Sequence, residues 1–260
     1  MPNLEISLAF ILGLSLGSFL NVLVYRLPRR KQFVKGRSVC PGCGAIIKWY
    51  QNIPLMSYLA LRGRCASCHK PISWRYPLIE LFNGLGYAYF FVSYGWSVEF
   101  GVFAFLTSAL IVIFFIDLEH QIIPDLVTLP GIVLGLAVAF IPGGISIIQS
   151  LIGLVVGGGS LYLIAVLGDW LFKKESMGGG DIKMAAMVGA FLGWQKVLLV
   201  FLASAVIGLV VSLLIMIFSA RLRKTRMVPF GPFIALAAVM AIIWGDRIVS
   251  FYVDNFLHLN

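Results

Sequence analysis

The chain has 260 residues, 60% of them hydrophobic, with a formal net charge of +9 and a mean hydropathy of +0.96. Soluble domains carry roughly 45–50% apolar residues, so this composition excludes an ordinary soluble globule and places the chain in a bilayer. The positive charge does not indicate a nucleic-acid partner, because its distribution follows membrane topology.

A spanning helix needs about 20 mostly apolar residues. About eight stretches come near that length: Leu4 to Tyr25, Leu78 to Gly95, Val98 to Ile116, Leu126 to Ile141, Ile147 to Leu167, Ile182 to Gly193, Val197 to Phe218 and Phe230 to Val253. The predicted fold is an all-α polytopic membrane protein of about eight transmembrane helices, with a small cytoplasmic zinc-binding insert after the first. The division expected is a first transmembrane helix over 1–25, a four-cysteine insert over 26–77, and a membrane domain over 78–257.

With the N-terminus outside, one side of the membrane receives eleven Lys/Arg between Arg26 and Arg75. It also receives Lys173, Lys174 and Lys183, then Arg221, Arg223, Lys224 and Arg226. That side is cytoplasmic by the positive-inside rule; only Lys196 and Arg247 fall on the other, and both termini are predicted to be periplasmic. The first apolar segment is expected to be a retained helix and not a cleaved signal, since its basic residues follow the apolar run instead of preceding it.

The stretch from Arg26 to Tyr76 is the one that reads as water-soluble. It holds all four cysteines, as Cys40-Pro-Gly-Cys43 and Cys65-Ala-Ser-Cys68, with 21 residues between the pairs. Two C-x2-C knuckles at such spacing are the pattern of a structural zinc site. Gly42 and Gly44 would ease the turn around the ion. A disulfide is the competing reading, disfavoured in a reducing cytoplasm. Four thiolates leave no open coordination position, so the metal is structural. His69, beside Cys68, reads as a surface or supporting residue.

Carboxylates at a membrane boundary are costly unless they are used or satisfied. Asp117 ends the third apolar run and Asp181 begins the sixth, after Gly178-Gly179-Gly180. The third helix runs inward and the sixth outward, so the two aspartates can meet at the cytoplasmic face. Two adjacent carboxylates share a proton and can serve as general base and general acid on one water, which is aspartyl-protease chemistry. Asp181 has a second reading as an N-cap, and Asp125, after Pro124, reads as a cap at a helix start. Glu80 pairs with Arg75 or Lys70, or lines the active cavity. Glu119 and Glu175 read as solvated charges, and Asp169 as the end of the fifth helix. Gly157, Gly158 and Gly159 read as helix-packing residues.

These residues together resemble the bacterial type IV prepilin peptidases, within the GxGD aspartyl proteases. The signature stands as Gly178-Gly179-Gly180-Asp181, and a D-x6-P-D motif runs from Asp117 through Pro124 to Asp125. Family-like strings also occur at Gly17 to Pro28, Arg75 to Glu80 and Pro229 to Phe233. The resemblance implies a bifunctional inner-membrane enzyme with prepilin and pseudopilin precursors as partners. Its catalytic residues would be Asp117 and Asp181, with Gly178 and Gly180 in the active-site loop and Glu80 and Asp125 in support. Zinc would sit on Cys40, Cys43, Cys65 and Cys68. S-adenosylmethionine would be the methyl donor, although no glycine-rich nucleotide fingerprint marks its site. A transporter, or a membrane anchor with a zinc-knuckle module, are the alternatives; the first expects carboxylates strung across the bilayer, the second leaves Asp117 and Asp181 without a role.

Overall fold

The structure is a computed structural model and describes residues 2–32, 36–142, 144–174, 176–218 and 229–257. Arg221, Arg223, Lys224, Arg226 and Glu175 lie outside the described residues. Among those described, regular structure is helical apart from two isolated β-bridges. The main helices are α1 (Pro2–Arg26), short α2 (Met56–Ala60), α3 (Arg75–Tyr94), α4 (Val98–His120), α5 (Asp125–Val138), α6 (Ile147–Phe172), α7 (Gly179–Phe218) and α8 (Gly231–Tyr252).

Each of the eight apolar stretches falls on a helix. Among the described residues five helices, α1, α4, α6, α7 and α8, are long and apolar enough to cross a membrane; α3 is not one of them, and α5 is shorter. The sixth and seventh stretches both lie within α7, and the break between them is Gly193, whose φ of 80° and ψ of 172° interrupt the helix. That backbone conformation is open to glycine and strained for other residues.

The chain divides into two compact units, Met1–Val112 and Ile113–Asn260, with the boundary inside α4. In the first unit α1 and α3 approach so closely that a Cβ on Gly13 would lie 2.8 Å from the Asn83 carbonyl oxygen and one on Gly17 would lie 2.7 Å from the Glu80 Cα. Small residues allow this contact, which in lipid is held by packing and by hydrogen bonds between helices. Asn83, fully buried, supplies such bonds: its Nδ2 donates to the Gly13 carbonyl at 2.7 Å, and its Oδ1 accepts from Ser108 Oγ at 2.8 Å.

In the second unit α7 is the central element, packing against α5, α6 and α8. Gly153 and Gly157 of α6 lie against the α7 backbone at Gly189 and Ala185, and Gly158 faces the Ala186 methyl. Ser150 Oγ donates to the Ala190 carbonyl at 2.6 Å, joining the same two helices. Gly159 takes no part in this seam: the nearest atom to a Cβ there is on Val155 of its own helix. One residue past Gly158 is a rotation of about 100° around the axis, enough to turn it off the contact face. Lys196, expected on the outer side, forms an ion pair with Asp246 at 2.8 Å.

Candidate active site and metal centre

Asp117 occupies the last turn of α4 and is only 5% exposed. A carboxylate so placed requires a donor, and the Gly231 amide at the start of α8 provides it. Glycine is needed at 231, since a Cβ would lie 2.5 Å from Asp117 Oδ2.

Asp181 is half-buried in the first turn of α7, which begins at Gly179. It is therefore a helical residue and not the N-cap. Asp117 lies close enough for the two charges to interact. Asp181 Oδ1 is buried without a hydrogen-bond partner among the described residues. Buried polar atoms are rarely left so. An oxygen in this state can accept a hydrogen bond from a water.

The segment between α4 and α5 completes the arrangement. Its Ile123 wedges between the two glycine positions, with Cδ1 3.0 Å from a Cβ built on Gly231 and Cβ 2.8 Å from one built on Gly180. The third glycine of the Gly178-Gly179-Gly180-Asp181 signature thus serves close backbone approach to Ile123. Gly178 stands beside Asp181 itself, its Cβ direction 3.2 Å from Oδ2. The loop before the signature is fixed by Asp169, whose Oδ1 accepts the Ser176 amide at 2.6 Å. This is a more specific duty than ending α6.

Asp125 is the first residue of α5 and its side chain does not cap that helix. Both its oxygens instead accept from Lys183 Nζ, at 2.7 and 2.8 Å. A helix start can leave its own amides to solvent, whereas a lysine in an apolar helix needs an anion nearby. Glu80 is buried in α3 and pairs with a backbone group: Oε2 accepts the Leu55 amide at 2.9 Å. Leu55 has a φ of 58°, an uncommon conformation for a leucine, and Glu80 holds it there. Glu119 is exposed, as expected.

The four cysteines converge. Their sulfurs all lie within 4.8 Å of one another, and Cys40 and Cys68 sulfurs are 3.9 Å apart. Tetrahedral zinc–thiolate bonds of about 2.3 Å place sulfurs roughly 3.8 Å apart, so the donor set fits a zinc ion. The two knuckles repeat one pattern. Cys40 N–H donates to the Ala45 carbonyl and Gly44 N–H to the Cys40 carbonyl; Cys65 N–H donates to the Lys70 carbonyl and His69 N–H to the Cys65 carbonyl. Bridges Val39 to Ile46 and Arg64 to Pro71 close both. His69 is the counterpart of Gly44, with φ of 55° against 72°, which makes it a turn residue. Gly42 contacts the Lys70 side chain and has no left-handed φ. Backbone amides of Cys68 and Ser67 lower the Cys65 thiol to about 6, favouring the ligating thiolate.

Sequence reasoning missed Ile123, Gly231 and Lys183 as parts of this site. Lys183 alone carried a readable signal, a charge near the start of an apolar helix that must find a partner.

The fold is that of a polytopic helical membrane protein, with one buried aspartate in the last turn of α4 and one half-buried in the first turn of α7. Residues 11–94 match the bacterial peptidase A24 N-terminal domain and residues 104–213 match the type IV leader peptidase family. The chain belongs to the type IV leader peptidase family. It is 40% identical to a prepilin leader peptidase/N-methyltransferase of Pseudomonas putida, over 96% of this chain and 94% of the relative. A Pseudomonas aeruginosa relative of the same name is 37% identical over 94% and 92%. One from Myxococcus xanthus is 43% identical over 82% of this chain and 63% of that protein. No solved structure matches.

Proposed function

We propose that this protein is a membrane aspartyl endopeptidase that removes the basic leader of type IV prepilins and pseudopilins at the cytoplasmic face, then methylates the new N-terminal residue with S-adenosylmethionine. The observation carrying the reading is the convergence of Asp117 and Asp181, on separate helices, within a chain of the leader peptidase family. In this reading the protein sits in the bacterial inner membrane with both termini periplasmic.

A substrate with a basic leader and a following apolar helix would lie in the bilayer with its cleavage junction at the level of the pair. One aspartate takes a proton from water as the water attacks the scissile carbonyl, and the protonated partner donates to the carbonyl oxygen and later to the departing amine. Asp181 Oδ1, buried without a hydrogen-bond partner among the described residues, would accept from that water. The Gly231 amide keeps Asp117 oriented throughout. Gly178 and Gly180 keep side chains out of the space around the pair.

The zinc ion would be held by Cys40, Cys43, Cys65 and Cys68 and has a structural part, because four thiolates close its coordination. Asp125 supports the start of α7 through Lys183, while Glu80 holds Leu55 within the first unit. S-adenosylmethionine supplies the methyl group when bound. Methyl transfer needs a deprotonated amine placed beside a sulfonium, a positioning task that requires no carboxylate-activated water. Mass spectrometry of a prepilin incubated with purified protein, with and without S-adenosylmethionine, reads both activities; an unprocessed precursor would refute the proposal.

A further inference from the structure

Between Arg26 and Ile79 the sequence has eleven Lys/Arg and no Asp or Glu. A soluble segment of this length ordinarily mixes both signs, and a single-sign run needs an anionic surface outside itself. The insert also exposes large apolar side chains: Trp49 is 81% exposed, Leu59 70% and Trp74 67%. Water disfavours this combination, whereas a headgroup layer accepts it, taking indole rings at its apolar edge and cations at its phosphates.

The two features meet in one place. A cleft of about 380 Å³ is lined by Arg37, Ile46, Lys48, Trp49, Tyr50 and Asn52, among others. Trp49 and Tyr50 meet edge to face at 5.8 Å, and Lys48 Nζ stands 5.9 Å from the Tyr50 ring. The insert leaves α1 at Arg26 and enters α3 at Arg75, so both its ends are tied to helix termini, one of them the end of a helix long and apolar enough to cross a membrane. A methyl-donor role suits the cleft poorly: two cations would oppose a sulfonium, and Trp49 is too open to enclose an adenine ring.

We propose that the insert docks on the bilayer through this cleft, with the phosphate of an anionic phospholipid between Arg37 and Lys48 and with Trp49 and Tyr50 among the lipid glycerols. The contact would fix the height of the metal-bearing insert above the membrane. It rests on the membrane reading of the chain but on neither the aspartate pair nor the orientation.

The test uses the zinc-loaded full chain in lipid nanodiscs of phosphatidylcholine, with and without phosphatidylglycerol. Amide hydrogen exchange over residues 46–52 is expected to slow by about threefold or more when phosphatidylglycerol is present, and the difference is expected to vanish in the Arg37→Glu/Lys48→Glu variant. Zinc content and exchange over α3 report that the variant is folded, and Trp49→Ser is a second, uncharged probe expected to reduce the protection. Equal exchange in the two lipids would overturn the proposal. So would protection produced by S-adenosylmethionine in the neutral discs, which would give the cleft to the cofactor. Discs present anionic lipid on both faces, so a wrong orientation cannot imitate either result, and prepilin cleavage in the same discs reports the peptidase reading separately.

Discussion

Lys183 Nζ reaches both carboxylate oxygens of Asp125, at 2.7 and 2.8 Å. The pair ties the first residue of α5 to a point two residues beyond Asp181 on α7. It braces the α7 start on which Asp181 stands against the segment that carries Ile123. Asp125→Asn and Lys183→Met should each lower the cleavage rate about tenfold, chiefly in kcat, since positioning is lost and the chemistry is not. The exchanged variant Asp125→Lys/Lys183→Asp should recover most of the loss. Steady-state kinetics on a purified prepilin decides it; single variants at the wild-type rate would show that no such brace operates.

Gly180→Ala should reduce processing, because the added methyl meets the Ile123 Cβ at 2.8 Å, and overpacking costs about 1–3 kcal/mol. Gly231→Ala should be worse, since its methyl meets Asp117 itself. Combining Gly180→Ala with Ile123→Gly removes the obstructing atom and should restore part of the activity. Thermal unfolding measured beside activity separates a lost fold from a displaced carboxylate.

Metal analysis should find about one zinc per chain, lost on Cys40→Ser or Cys65→Ser. The repeated knuckle adds a sharper expectation. His69→Gly should keep the metal and stabilise the insert by up to about 1 kcal/mol, because glycine adopts the left-handed turn without strain. Gly44→Val should weaken metal retention. Identical behaviour of Gly44→Val and wild type would contradict the equivalence of the two turns.

Glu80→Ala removes the acceptor of the Leu55 amide and frees a strained residue. Hydrogen exchange over residues 53–57 should rise while zinc content is unchanged. Unchanged exchange would mean that Leu55 is held by other contacts.

The helices were readable because apolar runs of spanning length have few alternatives in lipid, and the cysteine cluster because two C-x2-C knuckles at that spacing bring four thiols around one point, as a metal site requires. The proximity of Asp117 and Asp181 followed from helix direction and boundary position. Side-chain partners were not readable. Asp125 and Asp181 looked like caps because Pro124 and the glycine run look like helix starts, and sequence alone cannot tell the first helical residue from the residue before it. Glu80 had two basic residues nearby in sequence, yet its partner is an amide of the distant Leu55. Gly157, Gly158 and Gly159 looked equivalent until rotation about the α6 axis separated the third from the first two.

The most direct measurement is mass spectrometry of a prepilin after incubation with wild type, Asp117→Asn and Asp181→Asn enzymes purified in folded, zinc-loaded form. General acid–base catalysis contributes about 10² to 10⁴ in rate, and residues acting as a unit fail together. Mature pilin is expected with the wild type and only intact precursor with either variant. Normal leader removal by either single variant would contradict the assignment of the pair.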